Sequence, residues 1–110
     1  MSKRDAGVLL EDIRDAMRKI SNYVEGMNFA AFMADEKTMD SVVRNISVIG
    51  EAVKQLPEDF KDLHPEIPWA QMAGMRNRIV HDYAGVDLEI VWRVITEAMP
   101  NLAKRISEME

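Results

Sequence analysis

An arginine, a histidine and a tyrosine come close together in one stretch of this chain, Gly74 to Tyr83. Four residues separate Arg76 from His81, one more precedes Tyr83, and Asn77 directly follows the arginine. Because each residue of an α-helix turns by about 100°, Asn77 and His81 would share one face. Arg76 and Tyr83 would share the neighbouring face, so one helix would present all four along a broad flank.

These side chains suit the chemistry of a phosphodiester. His81 can give or take a proton near neutral pH, and Arg76 offers a permanent charge and a planar fork of donors that fits phosphate oxygens. Asn77 and Tyr83 add uncharged hydrogen-bonding groups. The set fits cleavage in which a neighbouring hydroxyl attacks and charge builds on the phosphoryl oxygens. RNA has such a hydroxyl, and DNA lacks it.

A structural role is the alternative for the same residues. Bundle helices carry Arg, His and Tyr at their surface for solubility and snorkelling. Tyr83 also falls in step with Met72, Met75 and Ile79, as a half-buried core tyrosine would. Spacing alone therefore leaves both interpretations open.

Apolar residues recur at intervals of three and four along four stretches, which is the period of an amphipathic helix. We expect an all-α protein, an antiparallel up-and-down bundle of four main helices. The predicted helices cover about 4–25, 38–56, the segment from Pro68 to just before Gly85, and 88–106.

Shorter features connect these helices. Gly26 should end the first helix, and Asn28 should cap a short turn that holds Phe29 and Phe32. His64 lies in a proline-rich loop, where we expect a surface residue and no catalytic role. Pro100 should kink the last helix.

Two further residues have open roles. Gly74 in a helix interior costs about 1 kcal/mol relative to Ala, which suggests close approach of another backbone or a ligand, although chance explains it equally well. Glu51 shares the outer face of the second helix with Arg44 and Lys54. That face is typical of a solvated surface, but Glu51 could also orient an active-site arginine.

Length and composition limit the possibilities. A chain of 110 residues predicts one domain, 1–110. There is no cysteine, no phosphate-binding glycine loop and no metal-ligand motif, so we expect no cofactor and no catalytic metal. No apolar run is long enough to cross a membrane, and we expect a cytoplasmic protein.

The net charge of −5 argues against indiscriminate nucleic-acid binding. The charge is uneven, however. Residues 1–69 hold nine Lys and Arg against 13 Asp and Glu, whereas residues 70–105 hold five against four. A polyanion should therefore dock on the C-terminal half.

The sequence strongly resembles the HepT-like group of HEPN-domain proteins. Arg76, His81 and Tyr83 match the Arg-x4-His-x-Tyr signature of that group, and Asn77 is the polar residue favoured after the arginine. The likeness covers nearly the whole chain, including the following segments: Ile49-Gly50-Glu51-Ala52, Pro68-Trp69, Met75 to Tyr83, Val86-Asp87 and Val91-Trp92.

The resemblance implies a metal-independent endoribonuclease toxin that works as a homodimer, with the signature helices of two subunits forming a composite RNA-cleaving groove. Carried over to this sequence, His81 is the acid or base and Arg76 binds the scissile phosphate. Asn77 supports their geometry, with Arg78 and Glu51 as further supporting candidates.

HepT-like proteins are also similar in being paired with a minimal nucleotidyltransferase antitoxin. That partner transfers AMP from ATP to the signature tyrosine, here Tyr83. Adenylate beside Arg76 would exclude substrate phosphates. The second function class is a non-catalytic helical binding module that docks on a nucleotidyltransferase, and both classes predict a dimer and a partner.

Overall fold

The computed structural model describes residues 5–81 and 88–109, and for residues 76–81 it describes the backbone alone. It contains helices and no strand within these ranges, so the all-α prediction is confirmed. A π-helical turn, Val94–Ala98, joins α6 to α7. The helices are α1 (Ala6–Tyr23), α2 (Phe29–Ala34), α3 (Glu36–Gln55), α4 (Glu58–Asp62), α5 (Trp69–His81), α6 (Leu88–Arg93) and α7 (Met99–Ser107).

Side-chain caps fix where the first three helices begin. The carboxylate of Asp5 accepts from Val8 N at 3.0 Å, and the Asn28 side chain accepts from Ala31 N at 2.8 Å, as predicted for the short turn. Each cap satisfies a backbone N–H that has no partner within its helix. Gly26 has a φ of 78°, which glycine adopts at little cost, and it lies just after α1.

Asp35 caps α3 in the same way, accepting from Thr38 N at 3.0 Å. This backbone hydrogen bond, followed by one from the Thr38 side chain, lowers the pKa of the Asp35 carboxyl below its usual value. The hydrogen bonds favour the charged carboxylate. A pH-dependent contribution to stability therefore lies at the start of α3, which leads into the core.

The core forms between the apolar stripes of the long helices. α1 packs along α3, α3 packs along α5, and α7 returns against α1. Phe32 of α2 is fully buried, and its ring lies 5.1 Å from that of Trp92, so the short helix packs against α6. The largest buried side chains are Leu9, Ile13, Ile20, Ile46, Ile49, Met72 and Ile106.

The last helix contains a π-helical turn directly before Pro100, the residue where a kink is expected, and the kink itself stays a prediction. Pro100 has no N–H to give, and its ring crowds the carbonyl four residues earlier, at Thr96. The chain responds with the π-helical turn over Val94–Ala98, which is a single wide turn. The Thr96 hydroxyl donates to the Trp92 carbonyl at 2.7 Å. Helical structure then continues through Pro100 to Ser107.

Helix boundaries otherwise differ from the prediction by about two residues. Within the residues described, no helix is both long enough and apolar enough to cross a membrane. The proline-rich loop predicted after α3 is present, and it contains one short helix, α4.

Candidate functional site

The first turns of α5 are fixed to the core and hold the rest of the helix in place. Pro68 precedes the helix, and its carbonyl accepts from Met72 N at 3.0 Å. Trp69 is buried, and its indole N–H donates to the His64 carbonyl at 3.0 Å. Met72 is buried one turn later. These contacts determine which side of α5 faces the core and which faces out.

The backbone of α5 carries four of the predicted site residues on its last two turns. Arg76, Asn77, Arg78 and His81 all lie within Trp69–His81, so their placement on one helix is as predicted. Their side chains, and the whole of Tyr83, lie outside the described residues. The catalytic assignments and the modification of Tyr83 therefore stay predictions.

α3 packs along α5, and a groove lies beside the first turns of α5. Lys54 of α3 lines it together with Ala70 and Ala73 of α5, and most of the remaining lining comes from α4 and the loop after it. Glu51 precedes Lys54 by about one turn on α3, and its side chain is exposed.

We name this cleft the Lys54 groove. It has a volume of about 710 Å³ and is bordered by two cations and two carboxylates. The ammonium of Lys61 lies 3.1 Å from the Glu58 carboxylate and donates to the Val53 carbonyl at 3.4 Å. The carboxylates of Glu58 and Asp62 therefore offset much of the positive charge of the two lysines in this groove.

His64 takes part in the local structure of the loop. Its ring centroid lies 5.0 Å from that of Phe60, and Nδ1 lies 3.7 Å from a carboxylate oxygen of Glu66. Its carbonyl accepts from the Trp69 indole. The side chain is half-buried, so His64 is less exposed than a free loop residue and supports the beginning of α5.

A second groove runs along the other side of α5, against α6 and α7, and sequence reasoning missed it. We name it the Gly74 groove, with a volume of about 620 Å³. Gln71, Asn101 and Arg105 supply its polar side chains. Its apolar lining includes Met72, Met75, Ile90, Val91, Val94 and Leu102. The one signal in the sequence was the glycine in the interior of the helix.

Gly74 leaves open space in this groove. A Cβ added at this position would meet no heavy atom of the described residues within 4 Å. Ile90, across the groove on α6, is 41% exposed. At the far end, Arg105 Nη1 donates to the Glu66 carbonyl at 2.9 Å, which holds the guanidinium in place. Three other grooves lined by described residues each include at least one Asp or Glu, whereas the described lining of the Gly74 groove includes none.

No group of three or more His, Asp or Glu side chains that could hold a metal ion occurs in the described part of the chain.

The family model for HepT-like proteins, described as "Ribonuclease HepT-like", matches residues 13–109. The match takes in α5 with its signature positions. The chain belongs to the HepT-like family. The resemblance drawn from the signature residues is therefore confirmed at the level of the family.

Relatives that match this chain over nearly their full length agree with this assignment. A Thermococcus cleftensis protein named "Probable ribonuclease HepT" is 41% identical over 97% of this chain and 97% of its own length. "Putative RNase MJ0127" of Methanocaldococcus jannaschii is 41% identical over 99% of this chain and 90% of its own. "Putative RNase TTE0752" of Caldanaerobacter subterraneus is 37% identical over 91% and 89%. No solved structure matches this HepT-like chain significantly.

Proposed function

We propose that this HepT-like protein is a metal-independent endoribonuclease, the toxin of a toxin-antitoxin pair. The observation that carries the proposal is the position of Arg76 and His81 on the last two turns of one helix, in a chain of the HepT-like family. Relatives named as ribonucleases match almost the full chain. Residues 1–110 act as one HEPN-like domain in this proposal, and the reaction takes place in the cytoplasm.

The reaction is a transesterification, after which the two RNA fragments are released. The 2′-oxygen of RNA attacks the adjacent phosphorus, the bond from phosphorus to the 5′-oxygen breaks, and a 2′,3′-cyclic phosphate and a 5′-hydroxyl form. His81 takes the proton of the 2′-hydroxyl or gives one to the leaving 5′-oxygen. Arg76 stabilises the charge on the phosphoryl oxygens. Asn77 supports the geometry of these two groups.

Glu51 and Arg78 are supporting residues in this scheme. Glu51 is exposed on α3, which packs along α5, and a carboxylate can orient a guanidinium. Arg78 adds positive charge one turn before His81. Two protomers form a homodimer, because one flank of one helix offers few groups to hold an RNA strand.

The test is RNA cleavage in EDTA, with the other histidine as a matched control. The protein should cut RNA, and His81→Ala should fold normally and lose at least about 100-fold in rate, the usual size of a general acid or base contribution. His64→Ala should keep cutting, because the His64 side chain lies in a structural loop. If neither the wild-type protein nor His81→Ala cuts RNA, the ribonuclease proposal fails. The alternative function, a non-catalytic module that binds a nucleotidyltransferase, is then favoured.

A nucleotidyltransferase antitoxin silences the enzyme in this proposal. The Tyr83 hydroxyl oxygen attacks the α-phosphorus of ATP, the bond to the β-phosphate oxygen breaks, and pyrophosphate leaves. The phosphodiester that forms carries negative charge beside Arg76, so RNA phosphates are repelled.

The chain has two tyrosines, which gives this modification a direct control. With the partner and ATP, the intact mass should rise in steps of one adenylate. Tyr83→Phe should prevent the increase. Tyr23→Phe should leave it unchanged, although Tyr23 is 41% exposed on α1. If the intact mass of Tyr83→Phe still increases, Tyr83 is not the site of modification.

A further inference from the structure

Gly74 has no packing explanation among the described residues. It lies in the interior of α5, where glycine is less favourable than alanine. Glycine in a helix is usually explained by close packing, but here an added Cβ would meet no described atom within 4 Å. The described part of the fold therefore leaves the space above Gly74 open.

This open position lies on the same side of α5 as one signature residue, His81. With about 100° per residue, the backbone positions of His81 and Arg78 are turned by about 20° and 40° from Gly74, in opposite directions. The position of Arg76 is turned by about 160°. The Gly74 groove therefore runs along the helix towards His81, on the side away from Arg76.

The lining of the groove favours a negatively charged ligand with flat apolar faces. Its floor is apolar, and its rim has the carboxamides of Gln71 and Asn101 and the guanidinium of Arg105. No Asp or Glu among the described residues lines it, in a chain with 19 of them. The Lys54 groove on the other side of α5 is lined by Glu58 and Asp62.

We propose that the Gly74 groove binds an unpaired base of the RNA strand, next to the phosphodiester that is cleaved. The inference rests on the proposed ribonuclease activity. The base lies on the apolar floor, and the strand crosses α5 over Gly74, where a side chain would block it. Gln71 and Asn101 hydrogen-bond the edge of the base, since carboxamides carry both a donor and an acceptor. Arg105, held by the Glu66 carbonyl, adds positive charge at the far end.

The experiment measures binding without cleavage. A fluorescein-labelled, single-stranded RNA of mixed sequence is titrated into His81→Ala protein, alone and combined with Gly74→Leu or Asn101→Ala. Gly74→Leu should weaken binding at least about tenfold, within the range measured for loss of one bound base. Asn101→Ala should weaken it less and change the base preference.

The matched control is Ala70→Leu. Ala70 is exposed on the same helix, one turn before Gly74, but it lines the Lys54 groove. The Ala70→Leu variant should leave RNA binding unchanged. Gly74→Ala gives a second control for folding, because the open space accepts a methyl group. Its Tm should rise by about 5 °C, as expected when a helical glycine becomes alanine in a small domain.

Four outcomes decide the inference. Loss of binding in Gly74→Leu, with Ala70→Leu unaffected and the oligomeric mass unchanged, supports it. Equal binding by Gly74→Leu overturns it and leaves the ribonuclease proposal standing if the wild type cuts RNA. A loss of binding together with a change in oligomeric mass overturns it, because the groove then belongs to a second copy. If the wild type and His81→Ala neither bind nor cut RNA, both the inference and the proposed function fail.

Discussion

The two grooves that flank α5 are similar in size and opposite in character. The Lys54 groove, against α4 and the loop after it, balances two lysines with Glu58 and Asp62, and a salt bridge already uses part of this charge. The Gly74 groove, against α6 and α7, has Arg105 and, among the described residues, no carboxylate. More apolar side chains line the Gly74 groove than line the Lys54 groove. The two sides of one helix thus offer very different surfaces to a polyanion.

This difference bears on the net charge of −5, which by itself speaks against RNA binding. Phosphates respond to the charges within about one Debye length, some 8 Å in physiological salt. An acidic protein can therefore bind RNA if its carboxylates are kept away from the strand. The second prediction below tests whether a carboxylate on one side of α5 weakens RNA binding more than a carboxylate on the other.

The largest expected effect concerns the floor of the Gly74 groove. Met72 is 1% exposed and anchors α5 to the core beneath the groove. Met72→Ala should lower the free energy of unfolding by about 2–5 kcal/mol, the range for buried Met to Ala. Urea denaturation monitored by circular dichroism measures this change. Leu63→Ala is the control, because Leu63 is 74% exposed and should change stability by less than about 0.5 kcal/mol. An equal loss in both variants would mean that Met72 is not an anchor.

The next prediction places a carboxylate in each groove in turn. Ala98 lines the Gly74 groove and Ala70 lines the Lys54 groove, and both are exposed. Ala98→Glu should weaken RNA binding about tenfold, since a like charge near a phosphate costs on the order of 1 kcal/mol or more. Ala70→Glu should have little effect, because carboxylates already stand there. Fluorescence anisotropy with labelled RNA gives both values. Similar losses in the two variants would remove the distinction between the grooves.

The smallest effect concerns pH and the start of α3, away from both grooves. The Thr38 hydrogen bonds lower the pKa of Asp35, so its stabilising contribution is complete above the unfolded carboxyl pKa of about 3.9. That contribution is lost as the pH falls through the lower pKa of the folded state. The wild type should therefore be more stable than Asp35→Asn at neutral pH, and the difference should narrow in acid. Thermal unfolding at several pH values measures it. A constant difference across this range would exclude the role of the Asp35 charge.

Periodicity and turn residues predicted most of the fold. The apolar spacing indicated the long helices, and short polar residues such as Asn28 marked where a helix begins. These are local signals, which a sequence displays directly. The π-helical turn before Pro100 was not predicted, because a proline indicates a disturbed helix without specifying the form of the disturbance.

The candidate site was predictable in part for a similar reason. The signature residues stand close in sequence, so one helix brings them together, and α5 does contain Arg76 to His81. The Gly74 groove depends on Asn101 and Arg105, which lie some 30 residues away and reach it only through the packing of α7. The packing of α3 along α5 likewise depends on contacts between distant residues, which periodicity does not contain.

The central claim is that His81 and Arg76 cleave RNA through its own 2′-hydroxyl. The most direct measurement is the chemistry of the ends left by the purified protein in EDTA, by mass spectrometry of a short RNA with one 2′-deoxy position. The account predicts 2′,3′-cyclic phosphates paired with 5′-hydroxyls and no cut at the deoxy position. Ends with a 5′-phosphate, or cleavage at the deoxy position, would contradict it.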